Sequence, residues 1–261
     1  MIDYVFSYRE FEYLLLIIIR VASFVFVAPF FGMNGVPRRV KVALSVFISF
    51  VIYHASLIHP ELDYNSLWEY TVLVIKEIMA GLIIGFGAQI CTMIVSFSGR
   101  IIDTNIGLTM AQMMDPTTRD NTTLTAVFLQ YTTMLIMLIS GMYQFLLSAL
   151  VDSFTLIPIG GAVFSSDRLA DSLIKFMSDY LVIGFRITLP VFCAVMITNV
   201  VLGIMAKVAP QMNMFAVGMQ IKIVIGLGVM FLTIAMLPGI TDFIFSEMKL
   251  MVNQMMEGLT V

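Results

Sequence analysis

Ile78-Met79-Ala80-Gly81-Leu82-Ile83-Ile84-Gly85-Phe86-Gly87-Ala88-Gln89-Ile90-Cys91-Thr92-Met93-Ile94-Val95-Ser96-Phe97-Ser98-Gly99 contains no charged side chain. These 22 residues lie between Lys76-Glu77 and Arg100, and about 20 mostly apolar residues in a helix cross a bilayer core. Outward from this stretch, residues 42–60, 121–151, 187–206 and 223–241 are also free of charge, in runs of 19, 31, 20 and 19. An earlier segment, about residues 11–31, joins them if Arg20 is tolerated. The fold class that follows is all-α, a membrane-class helical protein with about six hydrophobic helices.

Composition agrees. Only 12% of the 261 residues are charged and 60% are hydrophobic, against about 25% charged in an ordinary soluble domain. So few charges cannot cover a water-facing surface, so lipid or partner subunits must cover much of it. The net charge of −3 argues against a nucleic-acid surface, which needs clustered Lys and Arg. Cys91 and Cys193 lie in apolar stretches and read as small buried hydrophobes, with neither metal nor disulfide spacing. No signal peptide is expected: Asp3, Glu10 and Glu12 occupy the place of a positive leader region, and Arg20 interrupts the apolar run.

The connections differ in kind. Gly32-Met33-Asn34-Gly35-Val36-Pro37 is a turn followed by the basic cluster Arg38, Arg39 and Lys41. If the helices are ordinary spans, that cluster lies in the cytoplasm with both termini outside. Residues 59–77 are acidic and hold the single tryptophan, Trp68. A long polar loop is expected at about residues 103–123. Ile157-Pro158-Ile159-Gly160-Gly161 breaks any helix. Apolar sequence then runs from about Leu169 to Ala206, where Pro190 is expected to kink the helix. Phe245, Met248, Val252 and Met255 recur at helical spacing in the tail, as in an amphipathic docking helix.

Catalytic patterns are absent. His54 and His59 form no metal motif, and no serine elbow or phosphate-binding glycine loop occurs. The chain therefore reads as no enzyme, with no metal and no cofactor. Gly81 and Gly85 offer a small-residue face for close helix packing. Arg20, Lys76, Glu77, Asp103, Arg186, Lys207 and Lys222 flank or interrupt apolar segments. Such charges pair, line water or mark function, and those near helix ends can simply reach out to the interface. Arg20 and Asp103 do not fit that simpler explanation; Asp103 is expected to pair with Lys207 or Lys222. Most of the 22 methionines fill core gaps, but Met110, Met113 and Met114 sit together in the long loop, where an adaptable apolar seal is a better reading.

Several strings together resemble a known family. Arg20 precedes Ala28-Pro29-Phe30-Phe31-Gly32 and Val36-Pro37-Arg38-Arg39-Val40-Lys41. Gly99-Arg100-Ile101-Ile102-Asp103 leads into Gly107-Leu108-Thr109-Met110-Ala111 and Asp115-Pro116. Ser153-Phe154, Ile157-Pro158-Ile159-Gly160, Leu189-Pro190, Gly203 and Ala209-Pro210-Gln211-Met212-Asn213-Met214-Phe215 with Gly218 complete the series. In this order they resemble the FliR family of flagellar export proteins, whose relatives are the T components of virulence type III secretion systems. Lys207 stands where arginine is more usual in that family, and several methionines stand where Phe or Leu is.

The resemblance implies a non-enzymatic core subunit of the flagellar type III protein export gate. It implies a FliP-like four-helix part, residues 1–165, fused to a FliQ-like helical hairpin with an amphipathic tail, residues 166–261. The implied partners are FliP and FliQ subunits, FlhB, the flagellar basal body, exported unfolded flagellar proteins and membrane lipid. The implied place is the bacterial inner membrane, where such helices need not cross the bilayer conventionally once other subunits surround them. The family's central loop plugs the closed pore, which here falls at residues 106–121. Gly107, Leu108, Met110, Met113, Met114, Asp115 and Pro116 would form the plug and seal. Arg20, Asp103, Lys207 and Lys222 would be structural or coupling charges. The alternatives are a subunit of a virulence export gate and an independent secondary transporter with helices broken at Pro29 and Pro190.

Overall fold

The computed structural model describes residues 8–33, 35–55, 64, 66–109, 123–211 and 213–260. Helix α1 is Tyr8–Val27, α2 is Arg38–Ala55 and α3 is Leu67–Ile106. They are followed by α4, Leu124–Ile139, and α5, Met142–Leu156. Then come α6, Ser166–Val208, α7, Met214–Thr233, a short 3-10 turn at Ile234–Met236, and α8, Leu237–Glu257. No strand occurs among the described residues. Helices α3, α6 and the α7–α8 run are long and apolar enough to cross a membrane, and α4 with α5 forms a fourth candidate as a broken pair.

The membrane-class all-α reading holds, but the count of about six helices does not. The charge-free run 121–151 breaks at Ser140-Gly141 into α4 and α5, with Gly141 in the left-handed region at φ 79°. A run of 31 residues is longer than one crossing needs, and glycine adopts that conformation without a Cβ clash. The run 223–241 is likewise divided by the 3-10 turn, after which Pro238 sits in the first turn of α8, where its missing N–H costs nothing. Helix α6 continues as one helix through Pro190. The loop expected from residue 103 begins later, because α3 runs to Ile106 and stops at Gly107, φ 93°. Trp68 and Glu69 belong to the first turn of α3, not to a connection. Cys91 is buried, but Cys193 is exposed on α6, against the expectation for that residue.

By packing, the chain forms two units. The first comprises Met1–Cys91, Gly141–Phe176 and Ser246–Val261. Its helix α1 buries Tyr13, Leu16, Ile17, Arg20, Val21, Phe24 and Val25, the three-to-four spacing of one helix face. Helix α2 is inverted relative to a soluble helix. It buries Lys41, Ser45 and Ser49, whose hydroxyls donate to the carbonyls of Lys41 and Ser45, and exposes Val42, Val46, Phe47, Phe50 and Val51. Small polar residues facing protein and apolar residues facing out is the pattern of helices in lipid or under apolar neighbours. Helix α3 comes so close to α1 that a Cβ at Gly81 would collide with the Arg20 carbonyl and the Ser23 hydroxyl. The end of α8 buries Met248, Met251, Val252, Met255 and Met256, so the tail is amphipathic and docked. Its closing backbone is held by Val163 N–H donating to Leu259 O at 3.0 Å and Ser165 Oγ donating to Gly258 O at 2.7 Å.

The second unit comprises Thr92–Ser140 and Met177–Phe245. Here a Cβ at Gly99 would collide with the backbone of Ala126, so α3 and α4 meet at backbone distance. Ser98 Oγ donates to Gly184 O at 3.2 Å, linking α3 to α6. The α6 face bearing Val200, Val201 and Ile204, and Phe231 and Leu232 of α7, are exposed.

Candidate functional site

In the first unit three separate strings meet at one buried ion pair. Arg20 of α1 and Glu77 of α3 are both fully buried. Arg20 Nε donates to Glu77 Oε2 at 2.5 Å and Nη2 donates to Oε1 at 3.0 Å, a two-pronged contact. Nη1 donates to the carbonyls of Ser153, 3.1 Å, and Ile157, 2.9 Å, at the end of α5. The Ser153 carbonyl also accepts the Ile157 N–H at 2.9 Å, so Arg20 braces the last turn of α5, and a cation there suits the helix dipole. The Phe154 ring lies 4.4 Å from the guanidinium carbon. Glu77 Oε1 also accepts the Gly160 N–H at 2.9 Å, and Lys76 Nζ donates to the Gly160 carbonyl at 3.2 Å. Gly160 has φ 79°, and a Cβ there would press on Leu73, so this turn needs glycine twice over.

The clasp therefore ties α1, α3 and the turn after α5 together. Arg20, Ser153-Phe154 and Ile157-Pro158-Ile159-Gly160 were singled out as strings, but their meeting was not legible. Glu77 was noted only as a flanking charge. The available signal was that it is the one carboxylate bordering the apolar run of α3, and so the acid nearest to a buried Arg20 in burial rather than in sequence.

In the second unit the corresponding feature is Asp103, fully buried in the last turn of α3. Its Oδ2 accepts the Thr125 backbone N–H at 2.8 Å. Thr125 is in the first turn of α4, and Thr123, at the N-cap position, makes no side-chain cap bond. Asp103 thus caps α4 from a different helix, where a carboxylate is favoured by the free N–H groups and the dipole. Its Oδ1 and the hydroxyls of Thr123 and Thr125 are buried without a partner. The expected pairing with Lys207 or Lys222 does not form: Asp103 is held by a backbone N–H through Oδ2, and its Oδ1 has no partner. Lys207 is exposed in the last turn of α6. Lys222 instead lines a cavity of about 440 Å³ with Asn105, Gly107, Asn199, Phe215 and Met219.

Gly107 ends α3 with its N–H donating to the Asp103 carbonyl at 3.0 Å, and Leu108 follows half-buried in a short helical turn. The junction of Asp103, Thr125 and Gly107 therefore joins the end of α3 to the start of α4. Met110, Met113, Met114, Asp115 and Pro116 lie outside the described residues. Among the described residues no group of three His, Cys, Asp or Glu side chains is placed to hold a metal ion.

Residues 11–248 match the family described as bacterial export proteins, family 1. The chain belongs to that family. Both the clasp and the junction lie inside the matched span. Among curated relatives, this family member is similar to the flagellar biosynthetic protein FliR of Escherichia coli (strain K12). The two are 28% identical over 232 residues, 88% of this chain and 87% of that protein. It is similarly related to the FliR of Bacillus subtilis (strain 168), 26% identical over 234 residues, 89% and 90% of the two chains. With the FliR of Aquifex aeolicus (strain VF5) it shares 26% identity over 225 residues, 86% of each.

Proposed function

We propose that this chain is a non-enzymatic subunit of the bacterial flagellar protein export apparatus, built into its membrane gate. The observation that carries the reading is the family match across residues 11–248, together with relatives of nearly equal length named as flagellar biosynthetic proteins. Those names also favour a flagellar over a virulence system. In this reading the chain sits in the inner membrane within the basal body. It assembles with FliP and FliQ subunits and with FlhB, and passes unfolded flagellar proteins. Residues 1–165 are the FliP-like part and 166–261 the FliQ-like hairpin. Their apolar faces, exposed in the isolated chain on α2, α6 and α7, are what neighbouring subunits and lipid cover.

Loop 106–121 is the plug. Its base is the junction where Asp103 caps α4 with one oxygen and leaves the other unpaired and the chain turns at Gly107, so this half-satisfied junction serves as its hinge. Met110, Met113 and Met114 form a soft seal that excludes water yet yields to a passing chain. The test is co-expression with the partner subunits followed by the mass of the intact particle. A single 29.1 kDa copy in a larger defined assembly supports the gate; a stable particle of this chain alone overturns it. Shortening residues 106–121 in the assembled gate raises ion leakage, and unchanged permeability would remove the plug assignment.

A further inference from the structure

The second unit holds a pocket of about 490 Å³ whose walls include Ile183, Arg186, Ile187, Met236, Gly239 and Phe243. It lies between α6 and the turn that joins α7 to α8. Its size falls in the range of small-molecule sites, roughly 300–1,000 Å³. The walls are apolar apart from Arg186, and no acidic side chain lines them. Arg186 is exposed, and among the described residues it makes no ion pair or hydrogen bond. It is also the last charge before the charge-free run 187–206, so on a membrane-spanning α6 it stands at the level of the lipid headgroups. An arginine that merely reaches out to the interface needs no pocket beside it; this one lines an otherwise apolar cavity.

We propose that this pocket binds one anionic phospholipid. An acyl chain fills the space between Ile183, Ile187, Met236 and Phe243, and the lipid phosphate is held by the Arg186 guanidinium. Guanidinium matches the phosphate oxygens two at a time, and an unpaired cation in an acid-free wall selects an anionic over a zwitterionic headgroup. The inference rests on α6 lying in a membrane and is independent of any role in export, so the two readings fail separately. Gly239 supplies a steric test: a Cβ there meets nothing within 4 Å, so a larger side chain enters the pocket without disturbing the backbone.

The full-length chain, purified in detergent with whatever subunits accompany it and stripped of lipid, is incubated with phosphatidylglycerol or phosphatidylcholine in mixed micelles. Retained lipid is counted by native mass spectrometry. Phosphatidylglycerol is expected to be retained over phosphatidylcholine by about tenfold, the size of a charge-assisted contact. Arg186→Gln abolishes that preference, Gly239→Leu lowers retention of both lipids, and inorganic phosphate does not displace the bound lipid. Equal retention of the two lipids, a preference that survives Arg186→Gln, or retention unchanged by Gly239→Leu overturns the proposal. So does cross-linking of a Gly239→Cys variant to another protein chain in place of lipid.

Discussion

Both packing units bury charge completely, the Arg20–Glu77 pair in the first and Asp103 in the second, and the two are treated differently. Arg20 donates four of its five N–H groups, two to the Glu77 carboxylate and two to backbone carbonyls, and that carboxylate accepts a further N–H. Asp103 uses one oxygen and leaves the other unpaired. A buried charge is tolerable only when its lone pairs and protons are satisfied, so the first is a closed structural joint. The second is half open, supported by a helix dipole, and stands where α3 stops at Gly107. A closed network resists rearrangement, whereas a half-satisfied one has a second arrangement within reach. That difference fits a rigid frame in one unit and a hinge in the other.

The largest expected effect tests the closed joint. Arg20→Met leaves Glu77 charged and alone in the core, which costs about 3–5 kcal/mol and is read as lost folded yield and a lowered melting midpoint in detergent. Replacing both, Arg20→Met with Glu77→Leu, recovers much of the loss, because a well-packed apolar pair can substitute for a buried ion pair. If the double variant remains as unstable as the single one, the contribution lies in the Ser153 and Ile157 carbonyls that Arg20 caps rather than in the pair.

The half-open junction is expected to be cheaper to alter. Asp103→Ala removes the cap of α4 and costs about 1–2 kcal/mol. Asp103→Asn keeps an oxygen for the Thr125 N–H and costs less. A loss from Asp103→Ala as large as that from Arg20→Met, measured by the same melting curve, would break the contrast between the two units. Gly107→Ala is smaller again, about 1 kcal/mol from the left-handed backbone alone, since a Cβ there meets only Met219 Cγ at 3.8 Å. In the proposed gate, with residues 106–121 as the proposed plug, this change should alter ion leakage at nearly constant melting temperature.

The smallest effect belongs to a half-buried contact in the first unit. The Tyr64 hydroxyl donates to Glu12 Oε2, and this bond holds the phenol's pKa up at about 12, against an ordinary value of about 10. The raised value means that the contact's contribution is fully present below pH 10 and is lost as the pH rises through 12. Ultraviolet titration of the phenolates should place Tyr64 among the late tyrosines, and Glu12→Gln should lower its midpoint. Stability should hardly change, because a single neutral-to-charged contact that water can still reach exchanges partners with it. A large loss would show that burial is not what separates the Arg20 clasp from surface polarity.

How much of this was legible follows from distance along the chain. The apolar runs, the stop at Gly107 and the break at Pro158-Ile159-Gly160 are local, and local chemistry suffices to read them. The break at Ser140-Gly141 had a faint signal in the excess length of its run. Pairing is different. Arg20 meets Glu77 across 57 residues and the end of α5 across 133 to 137, and no periodicity encodes which helices will approach. Asp103 shows the converse: Lys207 and Lys222 looked like partners because opposite charges are easy to see, while the Thr125 amide that holds it carries no mark in sequence.

By itself, then, the amino-acid sequence determined that this chain is helical, apolar along membrane lengths, poor in catalytic groups and punctuated at particular glycines and prolines. Hydropathy and backbone preference act residue by residue and survive any arrangement of helices. Tertiary structure alone decided that Arg20, Glu77 and the Gly160 turn form one joint, that Asp103 caps α4 and stays half satisfied, and that Arg186 stands over an apolar pocket. Those outcomes depend on which helix faces touch, and contact between distant segments is settled by packing of the whole chain.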